Sequence, residues 1–290
     1  MVSMEVETIT FRGFDGLTLV ADVRGEPRAW PVLFLHGGGQ TRHAWGKTAE
    51  NVASDGWRSV TLDLRGHGDS DWSSSGEYSL AAFSADCAAV ADQLGRPPVL
   101  VGASLGGISA LLAEGTSQRT VACGLVLVDI APKTNPEGVK RIRQFMESGV
   151  GGFGSLDEAA AAIAAYTPNR VRPVNYAGLR KVLRERGGRW YWHWDPRVLK
   201  LRPADVRGPG YGELLDRALD HIHVPMMLVR GRLSDVVSER EIDDLLARKP
   251  DVEVVEIEGA AHMIAGDQND AFSTAVVSFL QKRIRPTIGS

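Results

Sequence analysis

The sequence predicts an α/β protein in which a mostly parallel sheet is covered by helices on both faces. Short apolar runs alternate with segments of helical periodicity, which is the pattern of this class. No internal repeat interrupts the alternation. The 290 residues are 43% hydrophobic and 24% charged, values typical of a globular protein with one large core.

Eight strands are predicted, and the first two form a hairpin. Residues 5–12 and 17–23 flank Asp15-Gly16, a turn that favours an antiparallel pair. The other six strands are expected at 32–36, 59–63, 99–102, 124–129, 226–230 and 252–257. Helices are expected at 45–53, 80–94, 105–114, 239–247 and 268–282. Together these elements give an eight-stranded sheet flanked by helices.

A long insertion follows the sixth strand. About ninety residues separate it from the seventh, far more than a parallel crossover needs. We interpret residues 131–220 as a helical cap, and residues 1–130 and 221–290 as the core domain. The cap has a net charge of +6 and the rest of the chain −9. A solvated cap surface accounts for this difference, and a potential that attracts acidic substrates is the alternative.

The fifth strand leads into a pattern that places a serine between a strand and a helix. The segment reads Gly102-Ala103-Ser104-Leu105-Gly106 and is followed by apolar residues at helical spacing. A serine in such a turn needs a strained backbone, and the flanking glycines let neighbouring main chain pack closely. Ser104 is therefore the predicted nucleophile.

A serine nucleophile requires two partners. An imidazole must take the hydroxyl proton, and a carboxylate must orient the imidazole and stabilise its charged form. The loops after the seventh and eighth strands carry Asp235 and His262, which we predict as acid and base. The order serine, aspartate, histidine fits the motif. Asp129 also ends a strand and is the alternative acid.

With these motifs the chain resembles the α/β-hydrolase-fold serine hydrolases over nearly its whole length. Residues 31–39 and 61–70 resemble two further glycine-containing segments of that family. The resemblance implies an oxyanion hole made of two backbone amides, those of Leu105 and of one glycine in the run 37–39. Gly38 is our choice, although successive glycines leave that backbone free and do not separate the three candidates.

The resemblance implies acyl transfer without a metal, nucleotide or redox cofactor. The expected reaction is hydrolysis of a small to medium carboxylic ester or a lactone through an acyl-enzyme. Cofactor-free perhydrolases and carbon–carbon bond hydrolases are alternatives within the resemblance, and a small-molecule receptor on the same fold is an alternative of another class. Ser104 argues against epoxide hydrolase and haloalkane dehalogenase chemistry, because those relatives carry an aspartate at this position.

Pocket residues are expected from the glycine turn, the cap and the histidine loop. The cap concentrates three tryptophans in five residues, and such rings suit either a pocket wall or packing between cap and core. The predicted pocket residues are His36, Gly37, Trp190, Trp192, Trp194 and Met263.

Composition excludes several other classes of partner. The net charge of −3 and the lack of a basic run interleaved with aromatics argue against nucleic acid. No apolar run approaches the roughly 20 residues that span a bilayer. The first ten residues are polar and alternating, which predicts a strand and not a signal peptide, and hence a cytoplasmic protein. Cys87 and Cys123 are expected to be small apolar side chains. The expected partner is a small-molecule ester or acyl substrate.

Overall fold

The computed structural model describes residues 5–166, 176–200, 211–260 and 270–288. Within them lie one eight-stranded sheet and a separate hairpin. The large sheet consists of β1 (Glu7–Arg12), β2 (Thr18–Arg24), β3 (Pro31–Leu35), β4 (Arg58–Leu62), β5 (Val99–Ala103), β6 (Gly124–Val128), β9 (Met226–Gly231) and β10 (Glu253–Ile257). The hairpin consists of β7 (Leu183–Arg186) and β8 (Arg189–Trp192). The eight predicted strands are confirmed, with ends that differ by at most two residues.

The order of the strands locates a crevice in the sheet. The order is β1-β2-β4-β3-β5-β6-β9-β10, and β2 runs against its neighbours while the pairs from β4 to β10 are parallel. β3, β5 and β6 are buried along their whole length, because helices cover both faces. In the strand order, β4 lies on one side of β3, whereas β6 lies on the opposite side of β5, so the direction of the connections reverses between β3 and β5. Ligands bind beyond the carboxyl ends of strands at such a point.

Helices pack on both faces of the sheet. The core helices are α1 (Gly46–Ser54), α2 (Leu80–Gln93), α3 (Leu105–Gly115), α6 (Tyr211–Asp220), α7 (Glu239–Arg248), α8 (Asp270–Phe279) and the short α9 (Arg285–Ile288). α2, α3, α6 and α7 contribute to the apolar cluster on one face, and α1 and α8 to the cluster on the other. The five predicted helices are present, although the first residues of the range 268–282 lie outside the described chain.

Local sequence explains where several helices begin. The Ser79 hydroxyl accepts a hydrogen bond from the Ala82 amide at the start of α2, at 3.2 Å. Ser238 and Glu241 form a capping box at the start of α7. Both arrangements satisfy amides that a helix leaves unpaired in its first turn.

The inserted segment contains helices and also a hairpin. Its helices are α4 (Pro136–Ser148) and α5 (Leu156–Tyr166), and they are followed by the β7–β8 pair. The hairpin was not predicted. It turns at Gly187 and Gly188, which have φ angles of 58° and 73°, a conformation that glycine adopts without a steric penalty.

The last helix of the predicted cap range belongs to the core by its packing. α6 lies against α3, where a Cβ on Gly115 would come within 2.2 Å of the Ala218 carbonyl oxygen. Leu215 and Leu219 join the main apolar cluster. The other α-helices and strands described within residues 131–220 are α4, α5 and the β7–β8 hairpin.

A buried arginine connects the segments at this edge of the sheet. Arg42 is 7% exposed and lies between three carboxylates. It donates to Asp22 at 3.0 Å, to Asp69 at 2.7 Å and, through a short contact, to Asp63. Arg184 of β7 also binds Asp69, at 2.7 Å, so the hairpin is connected to this network.

Among the helices in the described ranges, none has the length and apolar content that crossing a bilayer requires.

Candidate active site

Ser104 lies in a strained turn between β5 and α3. Its φ is 45° and its ψ is −113°, an unfavourable conformation for a residue with a side chain. The turn is compact: a Cβ on Gly106 would lie 2.2 Å from the Leu35 carbonyl oxygen, and a Cβ on Gly102 would lie 2.5 Å from the Gly106 oxygen. Ser104 is partly exposed while its neighbours are buried. The side chain is therefore presented at the edge of the sheet.

The glycine turn after β3 contacts this serine. A Cβ on Gly37 would lie 3.6 Å from the Ser104 Cβ, and one on Gly38 would lie 3.9 Å from Leu105 Cδ2. The Gly37 amide donates to Gln40 Oε1 at 3.0 Å, and the Gly39 amide donates to a histidine nitrogen at 3.1 Å. Two of the three candidate amides thus have partners within the protein, which favours Gly38 as the oxyanion donor.

Two buried histidines support the glycine turn. His67 Nε2 accepts the hydrogen bond from Gly39, and His36 Nε2 accepts one from the Leu64 amide at 3.0 Å. Each ring then donates from Nδ1, His36 to the Gly37 oxygen and His67 to the Arg65 oxygen. Burial lowers the pKa of His36 to about 4, and burial together with the neighbouring His36 lowers the pKa of His67 to about 3. Both rings are therefore neutral and structural.

His36 is a predicted pocket residue, and the structure places its side chain inside the protein. Its side chain is fully buried, and both of its ring nitrogens are bonded to backbone. Its hydrogen bond to the Gly37 oxygen holds the backbone of the glycine turn in place. Gly37 stays a predicted pocket residue, and its position lies next to Ser104.

Asp235 follows β9 and forms an ion pair with the cap. Its carboxylate binds Arg141 of α4 through a short contact, and the two side chains are 36% and 59% exposed. The backbone nearby is tightly packed: a Cβ on Gly138 would lie 2.2 Å from the Asp235 carbonyl oxygen. The loop of the predicted acid is therefore also where α4 attaches to the core.

Asp129 follows β6 and is fully buried. Its φ of 49° is positive, as is that of Ser104. Its Oδ1 accepts from the Gly231 amide at 3.3 Å, and its Oδ2 accepts from the Ser234 hydroxyl at 2.6 Å. The Ser104 amide donates to the Val128 carbonyl at 3.3 Å, so Asp129 directly follows a hydrogen-bond partner of Ser104.

The predicted base lies in a part of the chain that is not described. His262 and Met263 fall within residues 261–269, outside the described ranges. The strand that leads to them, β10, is parallel to β9 and ends at the same edge of the sheet as β5 and β6.

α4 covers the glycine turn, a contact that sequence reasoning missed. Met146 is the nearest side chain: its Cε would lie 3.3 Å from a Cβ on Gly39. Phe145 stacks on Tyr166 of α5, with ring centroids 4.2 Å apart. Burial raises the pKa of Tyr166 to about 12, and the charge of Asp235 adds to the effect. An apolar stripe on α4 was the available signal for a helix that packs against the core.

The three cap tryptophans have different surroundings. Trp194, a predicted pocket residue, is 2% exposed, belongs to the main apolar cluster and forms an isolated antiparallel β-bridge with His67. Trp192 meets Phe153 edge to face, with centroids 5.3 Å apart, inside the small core of the cap. Trp190 lies under the Arg180 guanidinium, 5.0 Å from its centre. All three contribute to packing within the cap or between cap and core.

The described site combines a serine in a strained turn with a glycine turn at a sheet edge. Ser104 and Leu105 lie next to the turn of Gly37 and Gly38, and Met146 of α4 lies on the same turn. Such an arrangement suits attack on a carbonyl group with stabilisation of the resulting oxyanion. In the described part of the chain, no three side chains of the metal-binding types are grouped to hold an ion.

Comparison with known proteins defines the class. The chain matches the alpha/beta hydrolase family over residues 32–275, and it belongs to that family. It is similar to the 3-hydroxybutyrate-oligomer hydrolase of Cupriavidus necator, with 28% identity over 249 residues that cover 82% of this chain and 84% of that protein. It is also similar to Esterase Rv0045c of Mycobacterium tuberculosis, with 28% identity over 260 residues, or 87% and 83% of the two chains.

A solved structure supports the same fold. The crystal structure of E-2-(acetamidomethylene)succinate hydrolase superposes with a TM-score of 0.83 at 21% identity, and the match covers 96% of this chain and 100% of that one. The relatives are named esterases and hydrolases, which supports hydrolase activity.

Proposed function

We propose that this protein is a serine hydrolase that cleaves a small to medium carboxylic ester through an acyl-enzyme. The observation that carries the proposal is the position of Ser104, in a strained turn with its Cβ 3.6 Å from the Cβ position of Gly37. A strained backbone persists where the surrounding structure enforces it, and such residues cluster at functional sites.

The proposed reaction gives each predicted group a role. The hydroxyl attacks the ester carbonyl while His262 takes its proton, and His262 then protonates the departing alcohol. The amides of Leu105 and Gly38 stabilise the tetrahedral oxyanion, by about 3 kcal/mol per donor in comparable sites. Water then attacks the acyl-enzyme by the same route and releases the acid.

The third member of the triad is a carboxylate at the same edge. Sequence order favours Asp235 for this role, and Asp129 is the alternative. Asp129 follows β6, which pairs with β5, and Asp235 follows β9, which pairs with β6. Such a carboxylate holds the imidazole in the productive tautomer and stabilises its protonated form.

The relatives support an ester as substrate. One is named an esterase and another a hydrolase of 3-hydroxybutyrate oligomers, and each aligns with more than four fifths of this chain. Lactone hydrolysis uses the same chemistry, because a lactone is an internal ester.

Hydrolysis of a chain-length series of p-nitrophenyl esters tests the proposal. The wild type should hydrolyse short or medium members, and Ser104→Ala and His262→Ala should lose about 10⁴-fold or more in kcat. Ser84→Ala is the matched control, because Ser84 is a buried serine of α2, away from the site. Circular dichroism checks that each variant folds. A folded wild type that is inert with every ester would refute the proposal.

A further inference from the structure

We infer that Met146 of α4 sets the largest ester group that the site accepts against the glycine turn, and that this group is an uncharged alkyl chain. The inference rests on the proposed function, because a size limit at the turn matters only where an ester carbonyl binds beside Ser104. Hydrolysis alone requires that some ester is bound, whereas Met146 selects among esters.

Met146 lies directly on the glycine turn after β3. Its Cε would lie 3.3 Å from a Cβ on Gly39, and its Cε and Sδ would each lie 3.9 Å from a Cβ on Gly38. In the same turn, the Cβ position of Gly37 is 3.6 Å from the Ser104 Cβ. A carbonyl group held between Ser104 and this turn would therefore have the Met146 side chain beside it.

Leu105 adds a second apolar surface at the same point. Its Cδ2 would lie 3.9 Å from a Cβ on Gly38, the same distance as the thioether of Met146. Leu105 is buried in the main apolar cluster, and Met146 packs against that cluster. A group bound over Gly38 would thus meet hydrocarbon and sulfur. Such surroundings favour an alkyl chain, because a charged group without a partner is costly to bury.

Each lysine and arginine of α4 forms an ion pair with a carboxylate. The pairs are Arg141–Asp235, Arg143–Glu147 at 2.7 Å and Lys140–Glu137 at 3.8 Å. Because a carboxylate already neutralises each cation, the helix above the turn offers little attraction to an acidic substrate. Charge and apolar packing therefore favour the same class of ester.

Packing at both ends of α4 fixes the helix that carries Met146. A Cβ on Gly138 would overlap the Asp235 carbonyl oxygen, and a Cβ on Gly149 would overlap the Trp192 indole nitrogen. Contacts this close leave no room for the helix to move towards its neighbours at either end. The space over the glycine turn therefore depends on the side chain at position 146.

Two series of esters, measured as kcat/KM with the full chain, test the size limit. One series varies the acyl chain of p-nitrophenyl esters from acetate to decanoate, and the other varies the alcohol of alkyl acetates from methyl to octyl. In the wild type, kcat/KM should fall about tenfold or more at the first methylene that does not fit. Met146→Ala removes Cγ, Sδ and Cε, so the preferred chain in one series should lengthen by about two to three carbon atoms. Met146→Phe adds volume and should shorten it.

Ile142→Ala is the matched control for a general loosening of α4. Ile142 lies one turn earlier on the helix and packs against the same apolar cluster as Met146. Its truncation should leave the preferred chain length of both series unchanged. An equal lengthening in Ile142→Ala, or an unchanged preference in Met146→Ala, would overturn the role of Met146. If Met146→Ala does not fold, Met146→Phe decides, and a preference that does not shorten overturns it.

Esters of matched length with and without a carboxylate test the charge of the group. Methyl valerate is compared with monomethyl succinate for the acyl side, and butyl acetate with 3-acetoxypropionate for the alcohol side. In the series that Met146→Ala changes, the wild type should prefer the neutral ester by about tenfold or more in kcat/KM. An equal or higher value for the charged ester would overturn the assignment of an uncharged chain.

Reaction with a fluorophosphonate distinguishes failure of the inference from failure of the proposed function. A wild type that hydrolyses no ester of either series and does not react with this probe overturns both. A wild type that reacts and hydrolyses esters, with the same chain-length preference as Met146→Ala, overturns only the role of Met146.

Discussion

Replacement of Gly106 by alanine tests the packing of the turn around Ser104. A Cβ at this position would lie 2.2 Å from the Leu35 oxygen, 2.5 Å from the Leu35 carbonyl carbon and 2.7 Å from the His36 oxygen. All three atoms belong to the backbone at the end of β3, so no side chain can rotate away. Restoring an ordinary contact requires α3 and β3 to separate by about 1 Å, in a core packed as densely as a crystal.

The expected cost is at the upper end of the range for overpacking, about 3 kcal/mol. For a chain of this size that corresponds to a decrease in Tm of roughly 6 to 12 °C. The same movement separates Ser104 from the glycine turn, and a misplacement of about 1 Å is expected to lower kcat about 10²-fold. Both effects have the same cause and should appear together.

Thermal unfolding and ester hydrolysis measure the two effects. Gly46→Ala is the matched control, because Gly46 begins α1 with a φ of −44° and an added Cβ would meet nothing within 4 Å. Alanine there should raise stability by about 0.5–1 kcal/mol and leave kcat unchanged. A Gly106→Ala protein that is as stable and as active as wild type would refute this account of the turn.

Two further predictions concern buried charge. The pKa values of His36 and His67 are lowered to about 4 and 3 in the folded protein. The unfolded chain therefore binds more protons than the folded chain below pH 6.5. The stabilisation is complete above pH 6.5, and the free energy of unfolding falls as the pH drops towards 4. Between pH 7 and 5 the loss should be about 2 kcal/mol per histidine, and a urea midpoint that does not change over this interval would contradict it. Arg42→Met leaves Asp22 and Asp63 buried without their cation and should lower the free energy of unfolding by about 3–5 kcal/mol. Arg119→Gln is the control. It breaks an exposed pair with Asp92 and should change the free energy of unfolding by less than about 1 kcal/mol. Equal effects of the two substitutions in chemical denaturation would contradict the buried-network argument.

The sheet could be predicted from the sequence because its information is local. A strand buried on both faces is a continuous apolar run, as in Val99–Ala103, and the glycines after it mark the turn. The serine turn could be predicted for the same reason, because β5, Ser104 and α3 are consecutive in the chain. Here the local pattern and the tertiary structure agree.

The β7–β8 hairpin was missed because its first strand lacks an apolar pattern. Residues 183–186 read Leu-Arg-Glu-Arg, and three of the four are exposed. Gly187-Gly188 was the available signal, since a glycine pair between two short segments favours a two-residue turn. Tertiary contacts stabilise these strands, including the bond from Arg184 to Asp69.

The choice of site groups depends on contacts between distant residues. Gly37, Gly38 and Gly39 are equivalent in the sequence, and only the bonds from two of them to Gln40 and His67 distinguish the third. Likewise, two aspartates end strands, and nothing in their local sequence shows which one is buried. These distinctions arise from packing.

Covalent labelling of Ser104 by a fluorophosphonate, followed by intact mass measurement and peptide mapping, tests the central claim most directly. The reagent needs an activated serine and an oxyanion hole but no knowledge of the natural substrate. We predict one adduct, located on Ser104 and lost in Ser104→Ala. A folded wild type that forms no adduct, or forms one elsewhere while Ser104 stays unmodified, would contradict it.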